Sequence, residues 1–163
     1  MITTYTRSTT STYTQSRANY VMGKVYEDTL NMMSAGVINK SKADSWRQSL
    51  LYLLSKQAVN YFEFQFYKSD GTVIGGLHYK LESSGGIYSD EDSGELDFWG
   101  LPSGSYTTLL VDLDYGSSKI EEVNRQLKEW GWGTGTSLGG NHQYLKSYSK
   151  EGYGLEQNKI GEW

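Results

Sequence analysis

The stretch EWGWGTGTSLGGNH, residues Glu129–His142, decides how the rest of the chain is interpreted. Its small residues suit a phosphate-binding loop, a flexible linker or a moving segment. A dinucleotide fingerprint places its glycines between a strand and a following helix, and a Walker loop ends in Gly-Lys-Ser or Gly-Lys-Thr. Here the glycines follow a predicted helix, and neither motif is present. Because glycine gives the backbone freedom, the stretch predicts a hinge that leads into the C-terminal segment.

The helix before this stretch is predicted over SSKIEEVNRQLKEW, Ser117–Trp130. Ser118 followed by Glu121 has the spacing of a capping box. A stripe of apolar residues at helical spacing indicates its buried side: Ile120, Val123, Leu127 and Trp130. Gly131 then suits the position just after the last helical residue.

Two further helices are predicted nearer the N-terminus, after residues 1–14, a Thr- and Ser-rich segment that suits an exposed strand or a loose tail. The first runs from Gln15 to near Gly36, with Ser16 as its cap, and the second covers Ser41–Gln57, with Ser41 and Asp44 as a capping box. Helical spacing predicts that each helix buries one apolar stripe. These stripes are Ala18, Val21, Met22, Val25, Thr29 and Met32 or Met33 in the first, and Trp46, Leu50, Leu53 and Leu54 in the second.

Strands are predicted in the middle of the chain. VNYFEFQFY places Phe62, Phe64 and Phe66 on one face, and TVIGGLHYKL places Val73, Leu77, Tyr79 and Leu81 on one face. Asp70-Gly71 between them indicates a hairpin, and the adjacent glycines Gly75 and Gly76 indicate a bulge. Residues 83–104 are predicted as a long acidic loop with room for a short strand. A third long strand, Ser105–Tyr115, follows this loop. Segregated helices and strands are typical of the α+β class.

Composition limits the function classes. The 163 residues suit one domain, and an aromatic content of 14% argues for a packed core. A net charge of −4 with scattered Lys and Arg argues against nucleic-acid binding. The absence of cysteine excludes thiolate chemistry and disulfides. Without an apolar run long enough for a signal peptide or a membrane span, we expect a soluble, cytoplasmic protein with no membrane contact.

Several chemical alternatives find no motif in the sequence. The acidic run Ser89–Asp97 does not match the EF-hand positions, so a solvated loop is the simpler interpretation. His142 has the chemistry of a general base beside Asp112 or Asp114, but no spacing requires that role. His78 lies within a predicted strand and is expected to be a hydrogen-bonded sheet residue. Tyr and Trp side chains also suit a platform for peptide or sugar.

Both ends of the chain resemble a known family. The N-terminal TYTRSTTSTYTQSRANYVMGKVYED and the C-terminal GWGTGTSLGGNHQYLKSYSKEGYGLEQ resemble the corresponding segments of bacterial HORMA-domain proteins. The resemblance implies one HORMA-like domain over residues 1–163, in which three helices pack on a β-sheet. A tail over residues 1–14 precedes this fold. Residues 131–163 form a hinge and a C-terminal safety belt, which wraps around a bound peptide.

The resemblance also implies a function. Bacterial HORMA proteins are found beside cGAS/DncV-like nucleotidyltransferases (CD-NTase enzymes) in CBASS antiphage operons. They bind short closure-motif peptides, and the closed form binds the nucleotidyltransferase and activates synthesis of a second messenger. A ring-shaped AAA+ ATPase remodeller pulls the HORMA protein open again. The implied protein is a regulatory adaptor with no catalysis, cofactor or metal of its own.

Residue roles follow from the resemblance in three groups. The hinge glycines are Gly131, Gly133, Gly135, Gly139 and Gly140. The residues expected to contact the peptide are Trp132, Leu138, His142, Tyr144, Leu145, Tyr148 and Tyr153. The tail residues expected to be gripped by the remodeller are Thr3, Thr4, Tyr5, Thr6 and Arg7. The alternative is a generic β-rich module that binds protein or carbohydrate, and an enzyme is the third hypothesis.

Overall fold

The computed structural model describes residues 13–81, 88–91, 98–114, 119–137 and 142–148, with the backbone alone at Asn60 and Asp114 and in 88–91, 133–137 and 142–148. Helices and strands are segregated along these residues, as the α+β prediction requires. In chain order the elements are α1 (Gln15–Ser34), α2 (Lys40–Lys56), β1 (Val59–Tyr67), β2 (Val73–Lys80), β3 (Tyr88–Glu91), a 3-10 turn (Phe98–Gly100), β4 (Tyr106–Asp114), α3 (Ile120–Glu129), β5 (Gly133–Ser137) and β6 (His142–Tyr148).

The N-cap of helix α1 lies two residues before the predicted cap, Ser16. Thr14 has an extended backbone, and its hydroxyl accepts a hydrogen bond from the Arg17 N–H at 3.0 Å. Since an N-cap residue must itself lie outside the helix, Ser16, which is already helical, cannot fill that position. The prediction of Ser16 as the cap was therefore wrong, although the helix itself is confirmed.

Helix α2 shows the same kind of displacement at its start. Asn39 is the N-cap, and its side-chain oxygen accepts from the Lys42 N–H at 2.8 Å. Ser41 is already helical, so the predicted capping box was wrong. Asp44 instead lies 2.7 Å from the Lys40 ammonium one turn away. Gln57 ends the helix in a left-handed conformation with φ of 53°.

The predicted buried stripes of both helices are confirmed. Val21, Val25 and Met32 of α1 are fully buried, whereas Met22 and Met33 pack against the core from a partly exposed position. In α2 the whole predicted stripe is buried, and the Trp46 ring stacks on Phe64 of the sheet at 5.6 Å between centroids. The core therefore lies between these two helices and one face of the sheet.

The sheet is built around three antiparallel strands, β2-β1-β4, and has the full order β3-β2-β1-β4-β6-β5. Phe62, Phe64 and Phe66 of β1 are all fully buried, which confirms the predicted face. The hairpin between β1 and β2 is also confirmed. The Asp70 carboxylate accepts from the Thr72 N–H at 2.9 Å, and Gly71 has a φ of 92° that favours glycine.

A bulge beside the Gly75–Gly76 pair changes which face Val73 joins. Phe66 pairs with Gly75 but Tyr67 pairs with Val73, so one extra residue lies on β2 at this point. Because each added residue reverses the alternation of faces, Val73 leaves the row of Leu77 and is 56% exposed. The predicted burial of Val73 was therefore wrong, whereas Leu77, Tyr79 and Leu81 are buried as predicted.

Two elements lie within the predicted acidic loop, residues 83–104. The short strand expected within residues 83–104 is present as β3, and the 3-10 turn at Phe98–Gly100 packs on the sheet through Phe98 against Phe66.

Helix α3 begins at Ile120 with Lys119, not Ser118, in the N-cap position and with no side-chain cap bond. The predicted capping box depends on Ser118, which lies outside the described residues.

A partly buried hydrogen-bonded pair joins α1 to the sheet. The Tyr79 hydroxyl of β2 donates a hydrogen bond to the Asp28 carboxylate of α1. Burial is the largest cause of a raised pKa at both groups, and the hydrogen bond from Tyr79 only partly offsets it at Asp28. The folded chain therefore holds the proton of Asp28 more tightly than the unfolded chain does.

This pair predicts a pH dependence of stability. A raised folded-state pKa stabilises the fold fully below the ordinary aspartate value, and the contribution is lost as the pH rises through the folded value. We expect Asp28→Asn to remove this loss, so that the variant is no less stable than the wild type at pH 7. Chemical denaturation from pH 3 to pH 7 measures it.

Asp44 provides the control, because its pKa shift has the sign opposite to that of Asp28. Lys40 lowers the pKa of the exposed Asp44, so its contribution is present above the ordinary value and is lost as the pH falls. Asp44→Asn should therefore change the dependence of stability on pH only at acidic pH. The direction of this change should be opposite to that caused by Asp28→Asn. Identical profiles for both variants would contradict the assignment.

Candidate functional site

The C-terminal part of the described chain starts from a fixed point in the core. Val123 and Leu127 bury one side of α3, and Gly131 ends the helix with a φ of 85°, as predicted for the glycine after the last turn. Trp132 follows at 2% exposure. Its backbone N–H donates to the Leu127 carbonyl at 3.0 Å, and its indole N–H donates to the Ser49 hydroxyl of α2 at 3.0 Å.

This geometry reassigns Trp132. The sequence prediction placed it among the residues that contact a peptide, but its ring lies inside the core and its one polar atom is already bonded. A direct peptide contact would require the indole to leave the core. In this form Trp132 is the attachment point from which β5 and β6 extend, and its contact with a peptide stays a prediction.

Strands β5 and β6 form an antiparallel hairpin at one edge of the sheet. β6 pairs with β4 from Thr108↔Tyr148 to Asp114↔His142, and β5 lies outside it with a register irregularity between Thr134 and Ser137. Gly133 and Gly135, two of the predicted hinge glycines, are therefore strand residues in this form. Their hinge role remains a prediction.

Four of the predicted peptide-contact residues lie on β6, namely His142, Tyr144, Leu145 and Tyr148. The register pairs Leu145 with Val111, whose row packs toward the helices, and pairs Tyr144 with Asp112 in the alternate row. By strand alternation, these four residues are thus divided between the two faces of the sheet. Leu138, Gly139, Gly140, Tyr153 and the tail residues Thr3–Arg7 lie outside the described residues.

For the hypothesis that His142 acts as a general base, the structure gives the position of His142 in the sheet register and no placement of its side chain. His142 is the Cα partner of Asp114, and Asp112 lies two residues further along β4. In the described part of the chain, no group of three or more His, Asp or Glu side chains is arranged to hold a metal ion. Nor is any helix in that part long and apolar enough to cross a bilayer.

The face of the sheet opposite the helices carries a hydrogen-bonded cluster that the sequence did not predict. We call it the Glu63 network: Tyr61, Glu63, Gln65, Tyr67 and His78. Glu63, at 7% exposure, accepts hydrogen bonds from the Tyr61 hydroxyl and the Gln65 amide. His78 Nδ1 lies 2.6 Å from the Tyr61 hydroxyl and 3.3 Å from the Glu63 carboxylate.

The network has a structural role in the first place. Each strand places its polar side chains on alternate positions, and Glu63 pairs across the ladder with His78. A carboxylate that accepts two hydrogen bonds satisfies the polar groups around it in a nearly buried position. The expectation that His78 is a hydrogen-bonded sheet residue is therefore confirmed. The sequence signal for the network was the alternation of Tyr61, Glu63, Gln65 and Tyr67 in VNYFEFQFY.

The helices pack on one face of an antiparallel sheet, and the β5–β6 hairpin is attached to the core at a buried tryptophan. This architecture offers surfaces and a sheet edge as candidate binding sites. A family model described as Bacterial HORMA domain family 1 matches residues 3–161, and the chain belongs to this family of bacterial HORMA domains. The HORMA domain is a regulatory adaptor fold. No curated protein and no solved structure matches the chain.

Proposed function

We propose that this chain is a peptide-sensing adaptor that binds a closure-motif peptide and, when closed, binds and activates a cGAS/DncV-like nucleotidyltransferase in antiphage defence. The observation that carries the proposal is the position of β5 and β6. They follow the buried Trp132 and complete one edge of the sheet beyond β4. A hairpin at a sheet edge can leave and redock without threading through any other described element.

Peptide capture would use the same edge. An extended peptide adds a strand to an exposed sheet edge, where main-chain hydrogen bonds supply affinity and alternate side chains supply selectivity. The residues proposed to line the captured peptide are His142, Tyr144, Leu145 and Tyr148 of β6, with Leu138 and Tyr153. Gly133, Gly135, Gly139 and Gly140 are proposed to provide the flexibility of the belt, beginning immediately after Trp132.

The switch itself would be a population shift. A peptide favours the closed form only by the difference between its affinities for the closed and open forms. The closed form would bind the nucleotidyltransferase, which alone carries out catalysis, and an AAA+ ATPase would restore the open form by engaging Thr3, Thr4, Tyr5, Thr6 and Arg7. In this scheme the chain itself needs no cofactor, metal ion or nucleic acid.

The decisive experiment measures second-messenger synthesis by a cGAS/DncV-like nucleotidyltransferase, with the purified adaptor and a library of short peptides. We expect synthesis only when adaptor and a binding peptide are both present. Protease protection of residues 131–140 should appear with the same peptides. Absence of complex formation and activation with every peptide would overturn the proposal.

The tail assignment is tested separately by deleting residues 1–10. The deletion should leave peptide binding unchanged and abolish ATPase-driven release of the peptide, because the remodeller would lose the segment that it grips. Release is measured with a fluorescent peptide in the presence of ATP and the ATPase. Unchanged release from the shortened chain would refute the role of Thr3–Arg7.

A binding module for carbohydrate or protein is the second candidate. Trp99 on the 3-10 turn is 75% exposed, and an exposed indole is the kind of side chain that such modules place against a sugar. A glycan array separates the two functions. Saturable glycan binding that Trp99→Ala removes would favour the module.

A further inference from the structure

One row of β4 side chains is buried on the face of the sheet opposite the helices. Tyr106 is 2% exposed, Leu110 is 6% exposed and Thr108 is fully buried, and the register pairs all three with residues of the Glu63 network. Val73, the register partner of Tyr67 at the hairpin end of this face, is 56% exposed. The face of an antiparallel sheet that lies away from the core is commonly solvated. The burial of the β4 row therefore requires a covering layer.

The described elements outside the sheet do not supply this layer, because they lie on the other side. The three helices share one core with the phenylalanines of β1, and the 3-10 turn contacts Phe66 of that same face through Phe98. Tyr67 stacks on Tyr106 at 5.1 Å between ring centroids, which accounts for part of the burial of Tyr106 but not for that of Leu110. The cover must come from a part of the chain outside the described residues.

The Thr108 hydroxyl gives a second sign of this cover. Its oxygen is buried and has no hydrogen-bond partner in the described part of the chain. Gln65, its neighbour across the ladder, already donates to Glu63 and accepts from the Tyr67 hydroxyl. Since buried hydroxyl groups in folded proteins are nearly always bonded, the covering segment is expected to supply the missing partner.

Residues 149–163 begin beside this row. Tyr148, the last residue of β6, is the register partner of Thr108. An extended chain spans about 3.3 Å per residue, and neighbouring strands lie about 4.8 Å apart. The fifteen residues that follow Tyr148 are therefore long enough to cross β4, β1 and β2 on this face.

The other segments outside the described residues are less well placed. Residues 1–12 lead into Tyr13, whose hydroxyl donates to the Leu54 carbonyl of α2 at 3.3 Å, on the helical side. Residues 82–87 and 92–97 flank β3, which β2 and β1 separate from β4. The remaining segments are four-residue connections between neighbouring elements.

We infer that residues 149–163 dock across the face of the sheet opposite the helices, with apolar side chains over Tyr106 and Leu110 and a main-chain group bonded to the Thr108 hydroxyl. The inference goes beyond the proposed function and does not depend on it, because it concerns the chain without peptide or nucleotidyltransferase. Since the segment continues β6, a belt that leaves the sheet edge would also uncover the Glu63 network.

The sequence of the segment, SKEGYGLEQNKIGEW, suits this position. In an extended chain Tyr153 and Leu155 would lie on one side, so both could pack on the β4 row. Gly152 and Gly154 alternate with them and would allow the backbone to approach the sheet closely. Tyr153 would have to leave this face before it could line a captured peptide.

Paired cysteine substitutions test the docking directly, because the chain contains no cysteine of its own. Leu110→Cys is combined with Tyr153→Cys or with Leu155→Cys and oxidised, and at least one pair should form a disulfide within the monomer. A disulfide requires Cα atoms within about 7 Å, so it reports close contact. Leu51→Cys, at a position of α2 that is 55% exposed, is the control and should crosslink with neither.

Trypsin gives a second measurement on the full-length chain. Lys159 lies in the segment, and its cleavage follows the fraction of chains in which the segment is released. Leu110→Thr keeps a strand-forming residue but removes apolar contact area, and should raise the rate of cleavage after Lys159 about tenfold. The same substitution at an exposed helical position, Leu51→Thr, should leave the rate unchanged. Circular dichroism confirms that each variant is folded.

Each contrary result is specific. Absence of a crosslink in both pairs, or equal cleavage of wild type and Leu110→Thr, would overturn the docking. Crosslinking of Leu110→Cys to Ser84→Cys or to Ser93→Cys instead would assign the cover to a segment beside β3. A disulfide that joins two chains would assign it to a second copy. Since no peptide or enzyme is present, any of these results would leave the adaptor proposal standing, and failure of activation would leave the docking standing.

Discussion

Replacing Trp132 by alanine is expected to lower the free energy of unfolding by about 3–5 kcal/mol, the range for removing a buried tryptophan. The side chain is 2% exposed, so its removal leaves a cavity between α3 and α2 that the surrounding helices can fill only in part. The Ser49 hydroxyl also loses the indole donor that lies 3.0 Å away. Urea denaturation followed by circular dichroism measures the effect.

Two further variants show which property of the Trp132 side chain accounts for the loss of stability. Trp99→Ala removes the same side chain from a site that is 75% exposed, and surface substitutions of this kind change stability by about 0.5 kcal/mol or less. Trp132→Phe keeps most of the apolar ring and removes only the N–H donor. If Trp132→Ala were as mild as Trp99→Ala, the indole would not be held in the core.

The same variant distinguishes an attachment point from a peptide contact. Trp132→Phe should leave the affinity for a closure-motif peptide unchanged, because the ring faces α2 and not the sheet edge where the peptide would join. A peptide-contacting tryptophan would instead lose affinity on the same substitution. Fluorescence anisotropy with a labelled peptide measures this affinity, and a tenfold loss of affinity would show that Trp132 contacts the peptide.

The helices could be predicted because their signal is local. Val21, Val25 and Met32 repeat at helical spacing, and burial of such a stripe follows from the period alone. Their starting residues could not be fixed in this way. Thr14 and Ser16 are equally good capping residues, and the choice between them depends on where the chain enters the core.

The contacts that define the site depend on distant parts of the sequence. Trp132 and Ser49 are 83 residues apart, and no local pattern shows that the indole reaches α2. The strand order is similarly hidden, because β6 inserts between β4 and β5. Val73 was misplaced since a one-residue bulge reverses the alternation from which its burial was predicted.

The family resemblance supplied what periodicity did not. The N- and C-terminal motifs indicated a HORMA domain, and the match over residues 3–161 confirms that identification. Which residues touch a peptide depends on the face that each strand residue joins. The register divides Tyr144 and Leu145 between opposite rows of the sheet, so residues that are adjacent in the belt sequence do not all belong to one contact surface.

Replacing Glu63 by alanine is expected to lower the free energy of unfolding by about 1–3 kcal/mol, the cost of one partly buried donor left without its acceptor. The carboxylate accepts hydrogen bonds from the Tyr61 hydroxyl and the Gln65 amide, and of these two donors the Tyr61 hydroxyl keeps a second partner, His78 Nδ1 at 2.6 Å. His78 also loses the carboxylate that lies 3.3 Å from Nδ1. Glu63→Gln should cost less, because its amide oxygen can still accept from Tyr61.

The matched control is Glu27→Ala, because the Glu27 side chain is 64% exposed and its pair with Lys24 lies on the surface. Such a pair contributes about 1 kcal/mol or less, so the loss should be small. Chemical denaturation of the three variants gives the comparison, and the imidazole resonances of His78 in NMR spectra should shift in the Glu63 variants only. Equal stability of Glu63→Ala and Glu27→Ala would show that the network is solvated, and the face opposite the helices would then offer Glu63 directly to a ligand.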